Sequence, residues 1–225
     1  MNESGFSLAI GALVLQESLL LSVVLTLLLT TTGILALRLG AKSALYTAAE
    51  AAMQIVEGAV GEMVSKETVQ RIFPFIATLW LYVLCANLVG LIPGLSSPTR
   101  DLSITAALAV IVFFAVHVYG ISVVGFRAYF RHYLQPSPIL LPFHLISELT
   151  RTLALAIRLF GNMMSLEMAA LLVLMVAGFL VPVPLLMLHV VEALVQAYIF
   201  GMLALIYIST GLERVPVEEP EEGKA

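Results

Sequence analysis

Leu145–Val181 reads LISELTRTLALAIRLFGNMMSLEMAALLVLMVAGFLV. About 20 mainly apolar residues cross a bilayer core, and this run is far longer, so it reads as one long, tilted membrane helix. Four charged side chains interrupt it: Glu148, Arg151, Arg158 and Glu167. A second long apolar run, Leu185–Leu212, follows after Gly178 and a Pro182-Val-Pro184 turn, since proline cannot continue the helical ladder. It carries His189, Glu192 and Gln196.

Upstream lie three shorter spans, Ser18–Leu37, Ile72–Gly94 and Leu102–Phe126. The first is uncharged and lacks a basic leader or a cleavage signature, so a retained span is expected. The expected fold is an all-α integral membrane protein with about five membrane helices and one interfacial amphipathic helix. Its segments are a short outer N-terminus (1–17), the first span (18–37), a cytoplasmic segment (38–71), a membrane hairpin (72–126), a cytoplasmic loop (127–144), the two long helices (145–212) and an acidic tail (213–225).

Composition agrees. Of 225 residues 60% are hydrophobic and 12% charged, with a mean hydropathy of +1.03; soluble domains carry about 25% charge. One soluble core of this size cannot bury so much apolar surface, which excludes a water-soluble enzyme. The net charge of −4 leaves no basic surface for nucleic acid. A lone cysteine, Cys85, excludes an internal disulfide and a thiolate cluster. No His or Cys pair has metal-ligand spacing, and no phosphate loop or nucleophile elbow is present. No metal, cofactor or catalytic site of its own is therefore expected.

Basic residues set orientation. With the N-terminus outside, Arg38, Lys42, Lys66, Arg71, Arg127, Arg131, Arg214 and Lys224 are cytoplasmic, and Arg100 stands outside. The tail Glu218–Glu222 becomes a solvated cytoplasmic end. Between the first two spans, Ala44–Val69 places Leu45, Ala48, Ala52, Ile55, Ala59 and Met63 on one helical stripe, with Glu50, Gln54, Glu57, Gly61 and Glu62 around the other side. Its acidic polar face suits a protein neighbour better than lipid headgroups.

Charge inside a membrane costs about 2.5–3.5 kcal/mol per central residue on insertion scales, so each instance needs a reason. Glu148 and Arg151, three apart, can pair near the cytoplasmic end. Arg158 is deeper, has the neutral Asn162 one turn on, and has no carboxylate within a turn. It does not lose its charge, so it requires a carboxylate from elsewhere, or water. Glu167, nine residues on, faces half a rotation away. His189, Glu192 and Gln196 form one polar stripe suited to an aqueous path for protons. Asn87 is a weaker member of such a path; His117 and His144 are isolated and receive no role. These residues fit three classes: a channel subunit working with a partner, a secondary transporter switching on Arg158 and Glu192, or a structural assembly subunit. Transporters commonly show repeated halves, and none is visible; a structural subunit leaves Arg158 unexplained.

Arg158-Leu-Phe-Gly-Asn-Met163 followed by Glu167, with Phe73-Pro-Phe75, Ala86-Asn-Leu-Val-Gly-Leu-Ile-Pro-Gly94 and His189 ahead of Gln196-Ala-Tyr-Ile-Phe200, resembles subunit a of F-type ATP synthases over about residues 70–211. The resemblance implies a non-catalytic stator channel in a bacterial or archaeal plasma membrane. Its partners would be the rotating ring of c subunits and the subunit b peripheral stalk, within the lipid bilayer. Arg158 then matches the stator arginine that faces the ring carboxylate. Glu167, His189 and Gln196 match polar positions of the ion path, Asn162 a polar neighbour of the arginine, and Arg151 a commonly basic position. Glu192 adds a second acid beside His189. The residues leave the ion, H⁺ or Na⁺, open.

Overall fold

The computed structural model describes residues 8–10, 13–15, 17–40, 43–61, 66–92, 95–127, 129, 141–177 and 182–213. The chain is an integral membrane protein built of α-helices. Among the described residues five helices are long and apolar enough to cross a membrane. A small antiparallel ribbon, β1 (Leu8–Ile10) and β2 (Leu13–Leu15), precedes them; its short apolar runs carry no helical period that the sequence would flag. The expected acidic tail, and most of the loop at 127–144, lie outside the described residues.

α1 spans Glu17–Leu39 and α2 Ala44–Gly61. α1 ends where Gly40 takes φ 73°, a left-handed conformation that glycine adopts without a Cβ clash. Within α1 only Leu25 and Ala36 are buried, so most of this helix offers its apolar side chains to lipid. One polar tie to a neighbouring helix is Ser22 Oγ to Tyr82 Oη, 2.6 Å away.

α2 differs from expectation in rotation. Of the expected run to Val69, residues 62–65 lie outside the described residues and Lys66 to Val69 belong to the next helix. Its packed stripe is Val56 and Val60, flanked by Ala52 and Ala59, whereas Leu45 and Ile55 are exposed. The helix therefore has three sides: one packed on its neighbours, one polar with Glu50, Gln54 and Glu57, and one apolar and open. A two-sided amphipathic reading averages the packed and open apolar sides, which shifts the expected stripe by part of a turn.

α3 (Lys66–Val89) begins before the expected Ile72, because its polar first turns are helical although only Arg71–Val89 is apolar enough to span. It continues through Pro74; Thr78 Oγ1 donates to the Pro74 carbonyl at 2.6 Å. It also ends earlier than expected, at Val89, and tight turns follow at Gly90, Leu91 and Ile92. A 3₁₀ turn, Pro98–Arg100, leads into α4 (Leu102–Val124). Asp101 caps α4, accepting from Ser103 N at 2.9 Å, and Gly125 at φ 85° ends it.

α5 (Leu141–Ala177) and α6 (Pro182–Glu213) are the two long helices. Pro142, Pro182 and Pro184, read from sequence as loop residues, sit in the first turns of these helices. A missing N–H costs nothing there, because a first turn has no intrahelical acceptor for it. α3 packs on α6, and α4 packs on both α5 and α6. The core joins Ile72, Ile76, Trp80 and Val83 of α3, Leu108 and Val112 of α4, Leu155 and Leu159 of α5, and Phe200, Leu205 and Ile208 of α6. Small residues on α6, Ala193, Ala197 and Ala204, are fully buried. Close helix approach through small side chains replaces the hydrophobic drive that lipid does not provide.

Candidate ion path

At 1.5 Å per residue, Glu148, Arg158 and Glu167 lie about 15 Å and then about 14 Å apart along α5. Two separate polar groups form around the ends of this series.

The first group gathers where α3, α5, α6 and the 3₁₀ turn meet. Asn87 and Thr99 are fully buried and Ser97 nearly so. Thr99 Oγ1 donates to Asn87 Oδ1 at 2.7 Å, Ser97 Oγ lies 2.6 Å from Thr99 Oγ1, and Ser97 Oγ donates to the Ala86 carbonyl at 2.9 Å. His189, also buried, sets Nε2 3.2 Å from the Asn87 carbonyl. A carbonyl only accepts, so in this contact Nε2 is the donor. Gly90 makes room: a Cβ there would lie 3.1 Å from Ser97 Cβ and 3.5 Å from His189 Nε2. Glu167 does not touch this chain of bonds, but its Oε1 accepts from Arg100 Nη1 at 2.9 Å.

Three residues along α6 from His189, Glu192 is half-buried and makes no hydrogen bond or ion pair among the described residues. Gln196 is buried, and its Oε1 accepts from Asn162 Nδ2 of α5 at 2.7 Å. Its Nε2, like Asn87 Nδ2, has no partner among the described residues.

The second group lies near the start of α5. His117 of α4 donates from Nδ1 to the Phe113 carbonyl at 2.8 Å and turns Nε2 toward Glu148 Oε2, 3.6 Å away. Arg151 lies over the Tyr207 ring, 5.7 Å from its centroid. Glu148, Arg151, Thr152 and Tyr207 line a cavity of about 20 Å³, room for one water.

Between the groups stands Arg158. It is exposed beside Ile157, which is 60% exposed, while Leu155 and Leu159 on the same helix are buried. Among the described residues it makes no hydrogen bond or ion pair. Met164, Met168, Leu171 and Leu172 continue the exposed apolar face, as do Leu188, Val191, Leu194 and Val195 on α6.

The structure therefore brings Asn87 to His189 and Asn162 to Gln196, and leaves Arg158 and Glu192 open. Arg100, Ser97 and Thr99 escaped the sequence reading, as did His117, which has neighbours after all. Only Arg100 carried a signal, as the single basic residue that the charge pattern assigns to the expected outer side. The others join through contacts distant in sequence. Among the described residues no His/Cys/Asp/Glu group could hold a metal ion.

The family model of the ATP synthase A chain matches residues 18–209. The chain is 55% identical over 209 residues to ATP synthase subunit a 1 of Hahella chejuensis, covering 92% of this chain and 88% of that one. It is 61% identical over 177 residues to ATP synthase subunit a 2 of Pelobacter propionicus, covering 76% and 77% of the two chains. With ATP synthase subunit a of Legionella pneumophila the identity is 63% over 147 residues, covering 65% of this chain and 64% of the relative.

Proposed function

Because the chain belongs to the ATP synthase A chain family, we propose that it is the stator ion channel of its complex. It passes H⁺ or Na⁺ through two offset half-channels to and from the carboxylates of a rotating c-ring. It catalyses no bond chemistry itself; ion flow turns the ring, and remote subunits make ATP. The observation that carries this reading is Arg158, exposed on an apolar face and unpaired among the described residues, between two polar groups at opposite ends of α5.

A ring carboxylate facing lipid is neutral, protonated or ion-bound, because burying it charged is costly. Opposite Arg158 the ionised form is favoured, so the ion leaves. A lysine could shed its proton in so dry a place; arginine keeps its charge and blocks direct passage between the half-channels. Asn87, His189, Glu167, Glu192, Gln196 and Asn162 line the outer half-channel. Glu148 and Arg151, around a water-sized cavity, mark the cytoplasmic one. This orientation has the N-terminus outside and the C-terminus in the cytoplasm of a bacterial or archaeal cell, the chain lying in the plasma membrane. The exposed faces of α5 and α6 receive the c-ring, and the subunit b stalk holds the chain still.

Replacing Arg158 by Ala in the intact complex tests the reading. Gradient-driven ATP synthesis and ATP-driven ion uptake should both vanish, while the detached soluble sector still hydrolyses ATP. Coupled synthesis at the normal rate would overturn the proposal. Transport by the purified chain alone, without a ring, would favour a secondary transporter.

A further inference from the structure

Arg100 is the residue that the charge asymmetry leaves unexplained: among the basic side chains outside the long helices it alone falls on the outer side. Its side chain donates from Nη1 to Glu167 Oε1 at 2.9 Å, across 67 residues of sequence. The backbone beneath it is held on both flanks. Arg100 N donates to the Ser97 carbonyl at 3.0 Å, and Asp101 N donates to Pro98 O at 3.2 Å. Pro98 and Thr99 are buried, and Thr99 is tied to Asn87, whose carbonyl receives His189 Nε2. The 3₁₀ turn is thus fixed to the same asparagine that fixes the histidine, and from that anchor it extends one cation to the carboxylate.

The pair adds little to stability. Arg100's side chain is 46% exposed and that of Glu167 21%, and exposed ion pairs are weak and screened. Such a contact is still strong enough to choose a side-chain rotamer. We propose that Arg100 is a positioning residue of the outer half-channel, holding the Glu167 carboxylate at the mouth by one oxygen and leaving Oε2 to meet the incoming ion. This inference rests on the reading of Glu167 as part of the ion path. A guanidinium suits the task because it stays charged at any working pH and offers several donors from one fixed plane.

The test uses the intact complex reconstituted in liposomes, with gradient-driven ATP synthesis measured per assembled complex. The variants are R100Q, R100K, E167Q and the double R100Q/E167Q. R100Q should lower the rate roughly two- to fivefold, the bias an exposed ion pair can exert. R100K, which keeps the charge, should recover most of it, and R100Q should add nothing to E167Q. An unchanged rate in R100Q overturns the inference, as does the same loss in R100K. So does a loss by R100Q that persists undiminished in the E167Q background. A wild-type rate in E167Q instead removes Glu167 from the path, and the inference falls with that reading.

Discussion

Gln196 offers the clearest measure of how a polar link between membrane helices divides between stability and transport. It is 1% exposed, and its Oε1 takes the Asn162 Nδ2 hydrogen at 2.7 Å, joining α6 to α5. Gln196→Leu nearly preserves volume, so the packing against its buried neighbours Ala193 and Ala197 should hold. What disappears is one interhelical hydrogen bond. Measured bonds of this kind within membranes average about 0.6 kcal/mol and reach about 1.7. Gln196→Leu should therefore destabilise the detergent-solubilised chain by about 0.6–1.7 kcal/mol. Asn162→Leu should cost a similar amount, and the double variant no more than the costlier single one, since both remove the same bond. Trp80, the chain's single tryptophan, reports the transition. It is buried between α3 and α6, with its ring 5.3 Å from that of Tyr198 in an edge-on contact. Denaturant titration of its fluorescence gives all three free energies. Two losses that simply add would refute the bond as drawn. The same Gln196→Leu complex should lose ion flux, though less completely than with Arg158→Ala; wild-type flux would take Gln196 out of the path.

Further outcomes concern the scaffold. Asp101 caps α4. Burial pushes its carboxyl upward, but the hydrogen bonds from the Ser103 N–H and hydroxyl, with Arg100 nearby, outweigh burial and hold it below the usual carboxylate range. Asp101→Ala should cost about 1 kcal/mol at neutral pH. A lowered pKa gives stability that is present above the unfolded value and lost as pH falls through the folded one. The gap between wild type and variant should close on acidification, and a gap that widens would contradict the cap. Gly120→Ala would bring a Cβ to 2.5 Å from the Tyr129 ring, and overpacking of this kind costs about 1–3 kcal/mol; unchanged thermal stability of the purified chain would show that the contact yields freely.

The helix boundaries show what local sequence can and cannot reveal. The apolar runs anticipated the five long apolar helices among the described residues, yet α3 and α5 each start several residues before the apolar stretch begins. Polar first turns and N-terminal prolines are compatible with a helix and invisible to a hydropathy reading. For α2 the period was legible but the rotation was not. Val56 and Ile55 are similar in polarity, and only their neighbours decide that the first is buried and the second open.

The chain's class, the number of its spans and the residues with costly charges follow from the sequence alone, because transfer into lipid is a sum over residues that needs no partner. Arg158 was identifiable on that ground. Which polar groups meet was settled only by tertiary structure. His189 finds Asn87 across 102 residues, Glu167 finds Arg100 across 67, and Gln196 finds Asn162 across 34. His117, isolated in sequence, turns toward Glu148. Lipid is as apolar as the helix surfaces it covers, so hydrophobic pattern says little about how one membrane helix turns toward another. Close packing of small residues and a few hydrogen bonds set that rotation, and the rotation brings these pairs together.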